Sequence, residues 1–138
     1  PLLAVASHRD NDRRKFFGAN IYDRCLATRL HELTSAFYDL EETLMFGGLA
    51  YMMNGHFCFA LLDDYLVIRI GSESANKLVD NDPHARPFDL AGKTMKGWVM
   101  IAADALGEDH DLQNYIDIAM IFTSTLPQKT AKQAPKKH

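Results

Sequence analysis

The stretch from Met45 to Ile70, MFGGLAYMMNGHFCFALLDDYLVIRI, constrains the fold more than any other part of the chain. It divides into three short apolar runs separated by turn signals. Asn54-Gly55 is a strong hairpin signal, because both central residues of a type I′ turn need positive φ. Asp63-Asp64 is a weaker second turn between runs rich in Phe, Leu, Val and Ile. Local chemistry alone therefore specifies a three-strand antiparallel meander. Side chains alternate along a strand, which puts Phe57, Phe59 and Leu61 on one face and His56, Cys58, Ala60 and Leu62 on the other. Leu49, Tyr51 and Met53 likewise oppose Ala50 and Met52, and Leu66, Ile68 and Ile70 oppose Val67 and Arg69. Both faces of the middle run are apolar, so helices or another chain are expected to cover both.

The flanks supply those helices. Tyr22, Leu26, Leu30, Leu33 and Phe37 recur at helical spacing, predicting a helix from about Ile21 to about Asp39 with Asn20 as its cap. Beyond the meander, Ser72 is placed to cap a short helix, about Glu73 to Val79, which Asn81-Asp82-Pro83 ends. Arg86 to Leu90 reads as extended, because Pro87 biases Arg86 away from helix. A turn at Ala91-Gly92 and a strand from Gly97 to Ile101 follow. Asp109 is expected to cap a last helix whose apolar stripe is Leu112, Tyr115, Ile116, Ala119, Phe122 and Leu126, closed by Pro127. This order predicts an α+β domain: an antiparallel sheet of about five strands packed with an N-terminal, a short middle and a C-terminal helix.

Three segments emerge. Residues 1–19 mix charges of both signs without a sustained period and read as a flexible arm, residues 20–128 as one domain, and residues 129–138 as a basic disordered tail. The chain of 138 residues, with 47% hydrophobic content, is long enough to build its own core. Its net charge of −3 gives no general reason to expect a nucleic-acid binder. Setting aside Lys129, Lys132, Lys136 and Lys137, the remainder stands at about −7, so nucleic acid is expected to bind at most weakly, through the tail. Two cysteines, Cys25 and Cys58, form neither a disulfide framework nor a CxxC pair, which points to reduced thiols in a cytoplasmic protein. The Leu2-Leu3-Ala4-Val5-Ala6 run is too short for a signal-peptide core, and no stretch approaches the length of a membrane span.

Most chemical motifs have plainer explanations. Pro87 to Thr94, PFDLAGKT, ends like a phosphate-binding loop but lacks the first glycine and is followed by a strand, so the match fails. Ser74-Ala75-Asn76-Lys77 fits S-x-x-K without its companion elements and reads as exposed helix surface. His56 and Cys58 could offer two metal ligands, but His31, His84 and His110 fall on other elements, and no metal or other cofactor is called for. Asp63-Asp64 and Asp80 with Asp82 sit where turn chemistry favours aspartate. Gly47-Gly48 reads as a sharp bend between strands.

Arg69, Lys96 and Trp98 stand above this background as a candidate ligand-binding set. An arginine in so apolar a strand needs an acceptor or an exit to water, and Asp64 and Asp89 are its candidate internal partners. Lys96 and Trp98 are two apart, so a cation is expected beside a large aromatic.

The blocks Met45-Phe46-Gly47-Gly48-Leu49-Ala50, Asn54-Gly55, Asp64-x-Leu66-x-x-Arg69, Ala85-Arg86-Pro87 and Met95-Lys96-Gly97-Trp98-Val99 resemble the N-terminal domain family of the TfoX competence regulators. Leu126-Pro127-Gln128-Lys129 is similar to the end of its standalone members, and the likeness runs from about Glu42 to Lys129. The resemblance implies a compact bacterial α+β domain of the YjbR-like fold group, with a non-enzymatic regulatory or interaction role of the kind used in transcription regulation. No catalytic set is expected. The expected partner is a protein, either another chain or a second copy in a homodimer, since three helices are few for two sheet faces. The competing expectation is a small anionic ligand, or an uncharacterised reaction, in a cleft near Arg69, Lys96 and Trp98.

Overall fold

The computed structural model describes residues 22–127. The N-terminal arm, the tail and the cap expected at Asn20 lie outside them. Helix α1 spans Arg24–Thr34, strand β1 Leu40–Met45, β2 Gly48–Met53, β3 His56–Leu62 and β4 Tyr65–Arg69. Helix α2 (Ser72–Asn81), β5 (Ala85–Leu90), β6 (Lys93–Ile101), a 3-10 turn (Ala103–Leu106) and helix α3 (Asp109–Ser124) complete the order. The class is α+β, with one sheet of six antiparallel strands in the order β1-β2-β3-β4-β6-β5.

Four two-residue turns set the registers. Asn54 and Gly55 have φ of 53° and 86°, as the type I′ reading requires, and Met53 pairs with His56 across them. Phe46-Gly47 joins β1 to β2 in the same way, with φ of 59° and 80°. Asp63, at φ 54°, opens the β3–β4 turn, and Ala91-Gly92 closes β5 onto β6. Gly48 has a different reason to be glycine. A Cβ there would stand 2.3 Å from the Leu61 carbonyl oxygen, so β2 could not approach β3 at that point.

The first helix is shorter than its spacing predicts. It starts at Arg24 because Asp23 is the cap, accepting from the Leu26 amide at 3.0 Å, and it stops at Thr34. The residues beyond it lead into β1, an exposed edge strand absent from the sequence reading. Its sequence, LEETLM, has no apolar alternation, and its strand form comes from pairing with β2 along its whole length. At α2 the cap position belongs to Gly71, not Ser72, and α3 starts one residue early, with Glu108 at its cap position.

Helices cover one face of the sheet. Leu26 and Leu30 of α1, Ala75 of α2, and Leu112, Ile116 and Ala119 of α3 pack there against Tyr51, Phe59, Leu61, Leu66, Ile68 and Val99. The other core contains strand and turn residues: Ala50, Phe57, Ala60, Leu62, Val67 and Phe88 are buried, with Trp98, Met52 and Met100 packed against them. Among the described residues no helical side chain joins this second cluster. Of the expected covers, helices are therefore found on one face only among the described residues. On the second face the aromatic side chains of separate strands and turns meet one another. Phe57 of β3 stacks on Trp98 of β6 at 4.1 Å and 7°, although β4 lies between those strands. Flat strands that far apart would be separated by roughly 10 Å. Phe46, from the β1–β2 turn, reaches Trp98 edge-on at 6.1 Å.

Strict alternation fails at Cys58. Tyr51 pairs with Phe59 and Met52 with Phe57, so Cys58 is an extra residue, a β-bulge. Phe57 consequently joins Ala60 and Leu62 on the aromatic face, while Phe59 and Leu61 stay under the helices.

Candidate functional site

Two openings flank α2; Lys96 and Trp98 line the first of them. The first lies between α2 and β6. Ser72, Asn76 and Asp80 of α2 face Thr94, Lys96 and Trp98 across a cleft of about 550 Å³. Its shape depends on an irregularity in β6. Pro87 pairs with Val99 but Asp89 with Thr94, so the residues between Thr94 and Val99 bow out from β5. Gly97, at φ 85°, makes the bend, and its carbonyl accepts from the Ile70 amide at 2.8 Å. A Cβ on Gly97 would sit 3.1 Å from the Gly71 carbonyl carbon, so the crossing of these two segments also needs glycine.

The bend lies between Lys96 and Trp98. Trp98 stacks on Phe57 and lies nearly parallel to Phe88 at 6.0 Å and 9°. Lys96 is exposed and forms no ion pair or ring contact among the described residues. Both line the cleft, but the expected cation beside the indole is not formed.

Arg69 is the register partner of Trp98, yet its side chain reaches α3 and lines neither opening. Its guanidinium carbon lies 5.9 Å from the centroid of the Phe122 ring on α3. Neither expected carboxylate pairs with it. Asp89 accepts from the Thr94 hydroxyl at 2.6 Å, and Asp64 sits at the far end of β4, roughly 16 Å along the strand.

The second opening is a groove of about 570 Å³ between α2 and α3. Ile70, Leu78, Ile118, Ile121 and Phe122 make it predominantly apolar, with Ser74, Lys77, Asn81 and Thr125 among its polar margins. Ile121 is 66% exposed and Ile118 38% exposed. Neither belongs to the stripe read from the sequence, which followed the inner side of α3. Their signal was available, since two isoleucines three apart lie off that stripe on a helix that is otherwise polar outside. The S-x-x-K pair, Ser74 and Lys77, lies on one wall of this groove.

The remaining candidates are structural. The Nε2 of His56 meets the Pro127 carbonyl and ties the end of α3 to the start of β3. Cys58 is buried, and burial pushes its thiol up to about 11, which keeps it protonated and unreactive at neutral pH. Among the described residues no group of three or more His, Cys, Asp or Glu is placed to hold a metal. Asp82 anchors the α2–β5 loop, accepting from the Tyr115 hydroxyl at 2.6 Å and the His84 amide at 2.9 Å. Burial opposes its ionisation, but these hydrogen bonds prevail and hold its carboxyl below the ordinary value. Burial and the same carboxylate push the Tyr115 hydroxyl upward.

Among the described residues no helix is long and apolar enough to cross a membrane. Comparison with curated proteins and with solved structures returned no match. The sequence profile of the TfoX N-terminal domain matches residues 32–122. That span begins in α1, runs through the whole sheet and ends at Phe122, so it takes in the FGG turn, the bend at Gly97 and both openings beside α2. The chain belongs to the TfoX N-terminal domain family.

Proposed function

We propose that this protein is a non-enzymatic regulatory module that works in the bacterial cytoplasm by binding a protein through the outer side of its helix layer. Included in this is a role in transcription regulation, exerted through that partner, which the family likeness supports. One observation carries the reading: Ile118 and Ile121 are exposed side by side on the rim of an open apolar groove. Single exposed hydrophobic residues are ordinary, but adjoining ones at the mouth of an apolar groove resemble the surface into which a partner helix lays its apolar face.

The test is affinity purification of the tagged protein from its native host, in parallel with Ile118→Asp and Ile121→Asp. The expected result is a stoichiometric protein, which can be the chain itself, retained by the wild type and lost from both variants. Equal retention by all three would place the binding surface elsewhere.

A second reading rests on the other opening. Lys96, Ser72 and Asn76 offer donors to a small anionic ligand beside Trp98, although Asp80 shares the cleft. Native mass spectrometry checks this directly. A copurifying small anion lost in Lys96→Ala would favour it, and a bare chain would count against it.

A further inference from the structure

We infer that the partner seated on the α2–α3 groove is a second copy of this chain, docked by the same surface in a closed twofold dimer. The inference rests on the reading of this face as a protein-binding surface and adds the identity of the partner.

The outer side of α3 is both an apolar knob and the wall of a hole. The helix buries Leu112, Ile116, Ala119 and Thr123, and at about 100° per residue Ile121 points directly away from them. Ile121 is therefore free to enter a neighbour, while together with Phe122 and Leu78 it lines the groove that would receive one. A surface that holds its own complement is what an isologous twofold contact requires.

The charges repeat this arrangement. Lys77, on the α2 wall of the groove, has no carboxylate partner among the described residues. Asp117 lies one helical turn before Ile121, is exposed, and accepts only from the neutral Gln113 amide at 2.8 Å. One chain thus presents an unpaired cation on one wall and an unpaired anion on the opposite helix. An antiparallel copy of α3 bringing Ile121 into the groove also brings its Asp117 towards Lys77, and the twofold axis makes the contact twice. A small molecule fits this opening less well, because good ligand sites enclose most of their ligand and here Ile121 remains two-thirds exposed.

Sedimentation of the full chain at micromolar concentration tests the inference. The expected mass is twice the 15.6 kDa of the chain. Ile121→Asp is expected to sediment as a monomer that still unfolds cooperatively, because the side chain it replaces is largely outside the fold, with a melting temperature lowered only by the stabilisation the dimer contributed. Lys77→Glu and Asp117→Lys are each expected to weaken the dimer about tenfold, equivalent to about 1.4 kcal/mol. Mixing those two variants should restore it, because both contacts of the mixed dimer then join opposite charges. A monomeric wild type, a dimer indifferent to Ile121→Asp, or a mixture no tighter than its components would each overturn the inference. A monomeric wild type would leave the protein-binding reading standing, since its own test looks for a different chain on the same surface.

Discussion

The two faces of the sheet are made from comparably apolar strands, but they are closed by different means. Under the helices, residues from α1, α2 and α3 meet the strands in a layered core that includes the stacked pair Tyr51 and Phe59 at 4.7 Å. On the other side aromatic side chains pack on one another across the strands, with Phe46, Phe57, Phe88 and Trp98 in contact. The difference shows that apolar residues on both sides of a strand do not by themselves demand a second layer. Bulges and large aromatic side chains can close a small sheet on itself. It also locates the unmet apolar surface. Two exposed apolar regions remain among the described residues: Leu44 and Phe46 at the β1–β2 turn, and Ile118 with Ile121 on the outside of the helix layer, where they border the apolar groove.

Replacing one aromatic on each face sharpens the contrast. Phe59 is fully buried beneath the helices, so Phe59→Ala is expected to cost about 4 kcal/mol in urea unfolding. Trp98 is only partly buried, so Trp98→Ala is expected to cost about 3 kcal/mol, the lower limit of such truncations. Its hydrogen-exchange effects should centre on the β1–β2 and β5–β6 turns rather than on α3. Equal losses, or exchange spreading through α3, would show that the faces do not close independently.

The bend in β6 is the next point to probe. Gly97→Ala places a Cβ at positive φ against Gly71 and is expected to cost about 2 kcal/mol. The change should also narrow the Lys96 cleft while sparing the groove between α2 and α3. Chemical-shift changes confined to the first opening would bear this out.

The smallest effect concerns the Asp82–Tyr115 contact behind the helices. Tyr115→Phe removes a hydrogen bond to a carboxylate and is expected to cost about 1.5 kcal/mol at pH 7. The folded-state carboxyl of Asp82 is lowered, so its contribution is present above the unfolded value, about 3.9, and is lost as pH falls through the folded value. Wild type and Tyr115→Phe should therefore converge in stability as pH drops below about 4. A constant difference down to pH 2 would contradict this role for the contact.

Much of the sheet was legible because its turns are short and chemically explicit. Asn54-Gly55 and Ala91-Gly92 fixed hairpins that the structure contains, and the family blocks coincide with the turn at Phe46-Gly47 and the bend at Gly97. What was hidden depends on tertiary pairing. β1 is a strand because β2 lies beside it, and nothing in LEETLM says so. The bulge at Cys58 moves Phe57 to the opposite face, which an uninterrupted period of two does not anticipate. The candidate set was legible as residues but not as a site. Arg69 and Trp98 face one another in register, yet one side chain meets Phe122 on α3 and the other stacks on Phe57.

Quenching of the single tryptophan tests most directly the claim that the sheet closes its own second face. Trp98 lies on that face, and acrylamide reports its access to solvent. The full chain and a version reduced to residues 22–127 are expected to give the same quenching constant, well below that of the unfolded protein. A several-fold rise on removing the flanking residues would contradict the account. The aromatic face would then be a surface that needs a cover, and the outer side of α3 would no longer be the main place to look for a partner.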